Sequence, residues 1–166
     1  MIEAKYVNTL RKIYTRLENL QDNRVNWVVT GSVGMALQGM DVDVHDIDIQ
    51  TDQDGAYETE SRFSEYVVEP VRFSISERIR SHFGTLEIGD IKVEIMGDIQ
   101  KRLDDQTWEE PVKVERYKCW VEVDGMRIPV LSLEYEYKAY LILGRNEKAE
   151  KLRKWLKNQK KQANKT

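Results

Sequence analysis

The run Asp46-Ile47-Asp48-Ile49 alternates acid with isoleucine, and a strand with one buried face accommodates that pattern. Side chains two apart along a strand share a face. Ile47 and Ile49 therefore turn to the core, while Asp46 and Asp48 point together to the other side. At about 3.3 Å per residue the two carboxylates lie roughly 7 Å apart, near enough to converge on one or two hard cations. Without a cation their repulsion is a cost. Asp41-Val42-Asp43 is a rival pair, but it follows Gly39 closely and precedes the strand, so a loop is expected there.

An alternating acidic strand can also be the wet face of a sheet edge. What lies upstream argues against that. Trp27-Val28-Val29-Thr30 reads as a buried strand ending at Gly31, with a short helix or turn from Val33 to Leu37. Backbone N–H groups at such a junction suit phosphate oxygens. Gly31 permits close approach, and the Ser32 hydroxyl adds a donor. A third acid comes from a hairpin expected over Thr85–Met96, turning at Gly89-Asp90. Val93 and Ile95 claim its core face, so Glu94 projects opposite to them. Asp98 is the substitute, but after Gly97 it reads as a turn or cap residue. Phosphate held beside carboxylate-bound Mg²⁺, or Mn²⁺, is the arrangement that nucleotidyl transfer requires.

The remaining elements predict an α+β fold, a mixed β-sheet flanked by helices, in one domain over residues 1–166. Tyr6, Leu10, Ile13, Leu17 and Leu20 recur at helical spacing within Met1–Leu20. Asp52 to Gly55 reads as a turn and Ala56 to Tyr66 as a helix. A second hairpin is expected from Tyr117 to Val130 around Asp124-Gly125, with Cys119 in the core. Ser132 caps a helix containing Tyr135, Ala139, Leu141 and Ile142. A last helix from Asn146 carries Ala149, Leu152 and Leu156 on one stripe, with a frayed tail beyond Gln159.

Composition narrows the function classes. With 40% hydrophobic and 33% charged residues, the chain has the make-up of a globular protein rather than a disordered one. No apolar run approaches the roughly 20 residues of a membrane span, and Met1 to Leu20 lacks the apolar core of a signal peptide. A single cysteine excludes an internal disulfide, so a reducing cytoplasm is the simple expectation. The net charge is −3, yet Arg145 to Thr166 holds nine Lys or Arg against two Glu. That basic end is expected to be a solvated helix face, with docking of a polyanion as the rival reading.

Gly31-Ser32, a spacer of thirteen residues and Asp46-Ile47-Asp48-Ile49 together resemble the signature of the polymerase-β-like nucleotidyltransferase superfamily. The longer spacer is similar to that of lincosamide and abortive-infection toxin-like nucleotidyltransferases. The resemblance continues at Val93-Glu94-Ile95 and through Pro129-Val130-Leu131-Ser132 to Lys138 and Gly144-Arg145. It implies Mg²⁺ on Asp46, Asp48 and Glu94, the last also accepting a proton. It also implies a nucleoside triphosphate on Gly31, Ser32, Lys138 and Arg145. The acceptor hydroxyl would belong to a small molecule, a tRNA or a protein, and pairing into a homodimer is in keeping with small members. The toxin-like branch carries a Lys-Asp dipeptide where this chain has Lys148-Ala149. That departure keeps open a noncatalytic module binding nucleotide or RNA.

Overall fold

The computed structural model describes residues 2–18 and 24–165. Among these residues seven strands form one sheet: β1 (Trp27–Thr30), β2 (Ile47–Thr51), β3 (Val67–Ile75), β4 (Ile79–Ile88), β5 (Ile91–Lys101), β6 (Lys118–Val123) and β7 (Met126–Leu131). The helices are α1 (Ala4–Leu17), α2 (Gly31–Leu37), α3 (Gln53–Arg62), α4 (Leu133–Ile142) and α5 (Asn146–Ala163). The spatial order is β3-β4-β5-β2-β1-β7-β6. β2 runs antiparallel to β1 and parallel to β5, so the sheet is mixed. This is the α+β architecture expected.

The acid–isoleucine alternation works as its period requires. Ile47 and Ile49 are fully buried in the main core with Val93 and Ile95 of β5. Tyr6, Leu10, Ile13 and Leu17 of α1 and Ala56 of α3 join them there. Val28 and Leu131 belong to a separate cluster with Ile99. Over that second face α4 and α5 dock through Leu133, Tyr140, Ala149 and Leu152, with Met35 of α2.

Both hairpins turn where expected. Gly89-Asp90 and Asp124-Gly125 all have positive φ, as a tight two-residue turn compatible with strand twist demands. The first hairpin is longer than its sequence pattern suggested, running from Ile79 to Lys101. Strand β3 was not anticipated, because Glu69, Pro70 and Arg72 dilute its apolar pattern at the sheet edge, where such residues are tolerated. The α3 helix starts earlier than expected, with the Asp52 carboxylate accepting the Gly55 N–H at 2.7 Å as its cap. It also stops earlier, at Arg62. Ser132 caps α4, accepting from the Tyr135 N–H at 3.2 Å.

Two expectations need correction. Cys119 is exposed rather than core, because β6 is the outermost strand on its side. The C-terminal helix does not fray beyond Gln159 but continues to Ala163. Leu20, placed in the first helix by its spacing, lies outside the described residues.

Leu152 has no exposed surface in the α2–α4–α5 cluster. Leu152→Ala should cost about 2–4 kcal/mol, from lost burial plus the cavity left behind. Truncation after Gln159 should cost under about 1 kcal/mol, since residues 160–165 are exposed. Urea unfolding of both variants checks the contrast.

Candidate active site

Strand register assembles the site. Thr30 of β1 pairs with Asp48 of β2, and Asp48 pairs with Glu94 of β5. Three adjacent strands thus set Thr30, Asp48 and Glu94 in one row, on the face opposite the main core. Asp46 precedes β2 and is half-buried. Its charge reaches Asp48, as does that of Glu94, which is also a hydrogen-bond partner. Burial first, then these two charges, push the Asp48 carboxyl from 3.8 up to about 7. Glu94 is held at its outer side by Lys92, 3.2 Å away.

The glycine before Ser32 is a steric requirement. Gly31 has φ +70°, and a Cβ there would stand 2.3 Å from Asp48 Oδ2. Only a residue without a side chain lets the backbone lie against that carboxylate. The Gly31 N–H is not free for a phosphate as the chain stands: it donates to Glu136 Oε1 at 3.0 Å. The Thr30 hydroxyl donates to the same oxygen in a short hydrogen bond. Ser32 is half-buried, and its Oγ accepts the His45 N–H at 3.4 Å, which leaves the hydroxyl proton to donate.

A cavity of about 370 Å³ opens over this row. Gly31, Asp48, Glu94, Glu136 and Arg145 line it, with Ile79, Phe83, Met96, Ile99, Leu131 and Leu143 as apolar walls and Ser74, Ser76 and Ser81 as hydroxyls. Of the residues singled out in the sequence, Gly31, Asp48, Glu94 and Arg145 meet in it. Asp46 and Ser32 sit beside it without lining it. Lys138 is not brought there: it is exposed and lies on another face of α4, near Tyr137 and Arg153. Helical period explains this, because Glu136 and Tyr140 occupy the cavity side and Lys138 lies midway between them.

Two cavity residues went unread. Glu136 is 4% exposed, and burial pushes its carboxyl from 4.5 up to about 7 against the pull of its Thr30 and Gly31 donors. In sequence it looks like one of two solvated glutamates, although Leu133, Glu136 and Tyr140 follow helical spacing and mark it as a stripe position. Lys101 is buried and bonds to Glu109 at 2.6 Å and to the Tyr135 hydroxyl at 3.0 Å. Parity from Val93 and Ile95 would send Lys101 to the main core. Asp98, with φ +50°, lies where β5 slips register against β4 between Arg80 and His82. A bulge of this kind adds one residue and reverses the faces beyond it, turning Ile99 and Lys101 to the cavity.

As to a metal, no three His, Cys, Asp or Glu side chains among the described residues form a ready-made cage. The donor set nevertheless fits Mg²⁺, which takes one or two carboxylates and completes its shell with waters and substrate phosphates. Asp48, half-buried and facing the charges of Glu94 and Asp46, is a carboxylate that a divalent cation would relieve.

A family model described as aminoglycoside-2''-adenylyltransferase matches residues 9–159. No protein of curated function matches the chain. Among solved structures, a provisionally assigned nucleotidyltransferase of Thermotoga maritima, TM1012, is 65% identical, with 95% of this chain and 96% of that one covered and a TM-score of 0.83. ANT(2'')-Ia in complex with adenylyl-2''-tobramycin is 16% identical over 95% of this chain and 92% of that one, at a TM-score of 0.57. The lincosamide antibiotic adenylyltransferase LnuA, lincomycin-bound, is 12% identical over 92% and 97%, at 0.53. The last two are likenesses of fold.

The raised Asp48 and Glu136 carboxyls make a stability prediction. A carboxyl whose folded pKa exceeds its unfolded value binds its proton more tightly when folded, so stability falls as pH rises from about 4 to about 7. In metal-free buffer at pH 7.5, Asp48→Asn should therefore be more stable than wild type, by on the order of 2 kcal/mol, and the gap should close near pH 4. Thermal melts in chelator across that range test the sign. Gly31→Ala should act oppositely, costing about 1–2 kcal/mol through its positive φ and more if Asp48 cannot move aside. Its urea midpoint at pH 5 is the check.

Proposed function

The chain belongs to the aminoglycoside-2''-adenylyltransferase family, and from that premise we propose that it transfers a nucleoside monophosphate, AMP by the family's name, to a hydroxyl of a small molecule. The single observation carrying this reading is the row Thr30–Asp48–Glu94 beside a Cβ-free Gly31, open to a cavity of about 370 Å³. The acceptor oxygen bonds to the α-phosphorus, the bond from that phosphorus to the bridging oxygen breaks, and pyrophosphate leaves.

In this proposal Asp46, Asp48 and Glu94 would hold Mg²⁺, with Mn²⁺ as a substitute. The bound cation would neutralise phosphate charge and acidify the acceptor hydroxyl. Glu94 takes the acceptor's proton. Ser32 donates a hydrogen bond from its hydroxyl to a phosphate oxygen, and Gly31 lets the phosphates approach. Arg145 stands at the cavity, its guanidinium 6.0 Å from the Tyr140 ring and in no ion pair with a carboxylate among the described residues. It is the cation best placed for the triphosphate. Lys138 is set aside from nucleotide contact on its placement. A small-molecule acceptor is supported by the bound compounds of the two antibiotic adenylyltransferases and by a cavity walled with apolar groups and serine hydroxyls.

The test is incubation with Mg²⁺ and each α-labelled nucleoside triphosphate, offering hydroxylated small molecules, tRNA and total protein as acceptors. Label from ATP should pass to a small molecule. Asp48→Asn and Glu94→Gln should each lower transfer roughly 100-fold or more. Label on tRNA alone would replace the acceptor class. Tight triphosphate binding without transfer to any acceptor would favour a noncatalytic module.

A further inference from the structure

Glu136 grips the Thr30–Gly31 turn but has no part in that reading, and half of its carboxylate is unspent. Oε1 accepts from the Thr30 hydroxyl and the Gly31 N–H. Oε2 is buried and has no hydrogen-bond partner among the described residues, in a side chain that lines the carboxylate cavity. A carboxylate oxygen accepts two hydrogen bonds, and leaving one buried without any is costly. Lys148 is the cation whose charge Glu136 feels, but the two form no ion pair. Tyr140 on the same helix and Asp48 on β2 complete its charged and titratable surroundings.

The donor that Oε2 lacks can come from whatever fills the cavity. Phosphate oxygens offer no proton and are repelled by a carboxylate. A nucleotide's donors are its sugar hydroxyls and, in some bases, an amino group. The α-phosphate belongs beside Asp48, and Gly31 touches both Asp48 and Glu136. With the phosphate so placed, Glu136 would lie on the far side of Gly31 from it, within reach of the ribose rather than of the base. We infer that Glu136 is a nucleotide-binding residue whose free Oε2 accepts a hydrogen bond from a ribose hydroxyl of the nucleoside triphosphate. This rests on the nucleotidyltransferase reading above.

Calorimetric titration with Mg²⁺ and ATP, 2'-deoxy-ATP or 3'-deoxy-ATP, without acceptor, tests it. Wild type should bind ATP roughly tenfold more tightly than one of the two deoxy analogues, the scale of a hydrogen bond to a charged group. Glu136→Ala should bring that ratio to within about twofold. Glu136→Gln keeps an acceptor for Thr30 and Gly31 and replaces Oε2 with an amide N–H₂. It should shrink the ratio to within about threefold, and it decides the matter should the alanine variant fail to fold. A role confined to shaping the turn would weaken all three ligands by one factor and leave the ratio intact. That outcome overturns the inference, as does equal binding of all three by wild type. If wild type binds no triphosphate, the nucleotidyltransferase reading falls and this inference with it.

Discussion

The pairing of Thr30 with Asp48 and of Asp48 with Glu94 across three central strands is the constraint on which the rest depends. A slip of one residue in β2 would send Ile47 and Ile49 to the cavity and the aspartates into the main core. Both isoleucines are fully buried, so the hydrophobic pattern itself guards the register. The chemistry-bearing row is thus fixed by residues that take no part in chemistry. The same register brings the end of β1 against Asp48, and the turn that follows fits there because residue 31 has no side chain.

Clustering acids in this way opposes stability. Asp48 is half-buried and Glu136 buried; their ordinary values lie far below neutrality, and both are pushed up to about 7. Folding therefore favours their protonated forms, whereas a site that holds a cation favours the charged ones. The surrounding core supplies what this conflict costs. It comes from apolar burial on the α1 side of the sheet and from the α4–α5 contact on the other. Strain and repulsion gathered at one location, supported by consistent packing elsewhere, are what a functional site looks like physically.

Much of this was legible in the sequence because period two is unforgiving. The faces of Asp48 and Glu94, both glycine turns and the α4 cap follow from local pattern alone. The parts that were not legible share a cause: a break in local period or a contact made from far along the chain. One bulge at Asp98 reverses Ile99 and Lys101, and nothing short of the β4 register reveals it. Strand β3 is an edge strand whose charged residues imitate a loop. Lys138 seemed suitable by motif, yet two positions along a helix is about 200° of rotation, and it does not line the cavity. Glu136 is separated from Gly31 by 105 residues, and only its place on an apolar stripe hints that it is buried.

The C-terminal helices acquire their meaning from that last contact. The aspartate that the toxin-like pattern carries after this lysine has no room here: Ala149 is 2% exposed, packed with Met35, Leu133, Tyr140 and Leu152. A carboxylate at that position would be buried among apolar groups without a partner, at a cost of several kcal/mol. Helix α5 therefore acts through packing. Ala149 and Leu152 press on Leu133 and Tyr140, the residues that flank Glu136 on the inner stripe of α4. Its lysines remain on the solvated side, as their exposure requires. The basic helix thus bears on the site by fixing α4, which in turn holds the Glu136 carboxylate against the Thr30–Gly31 turn.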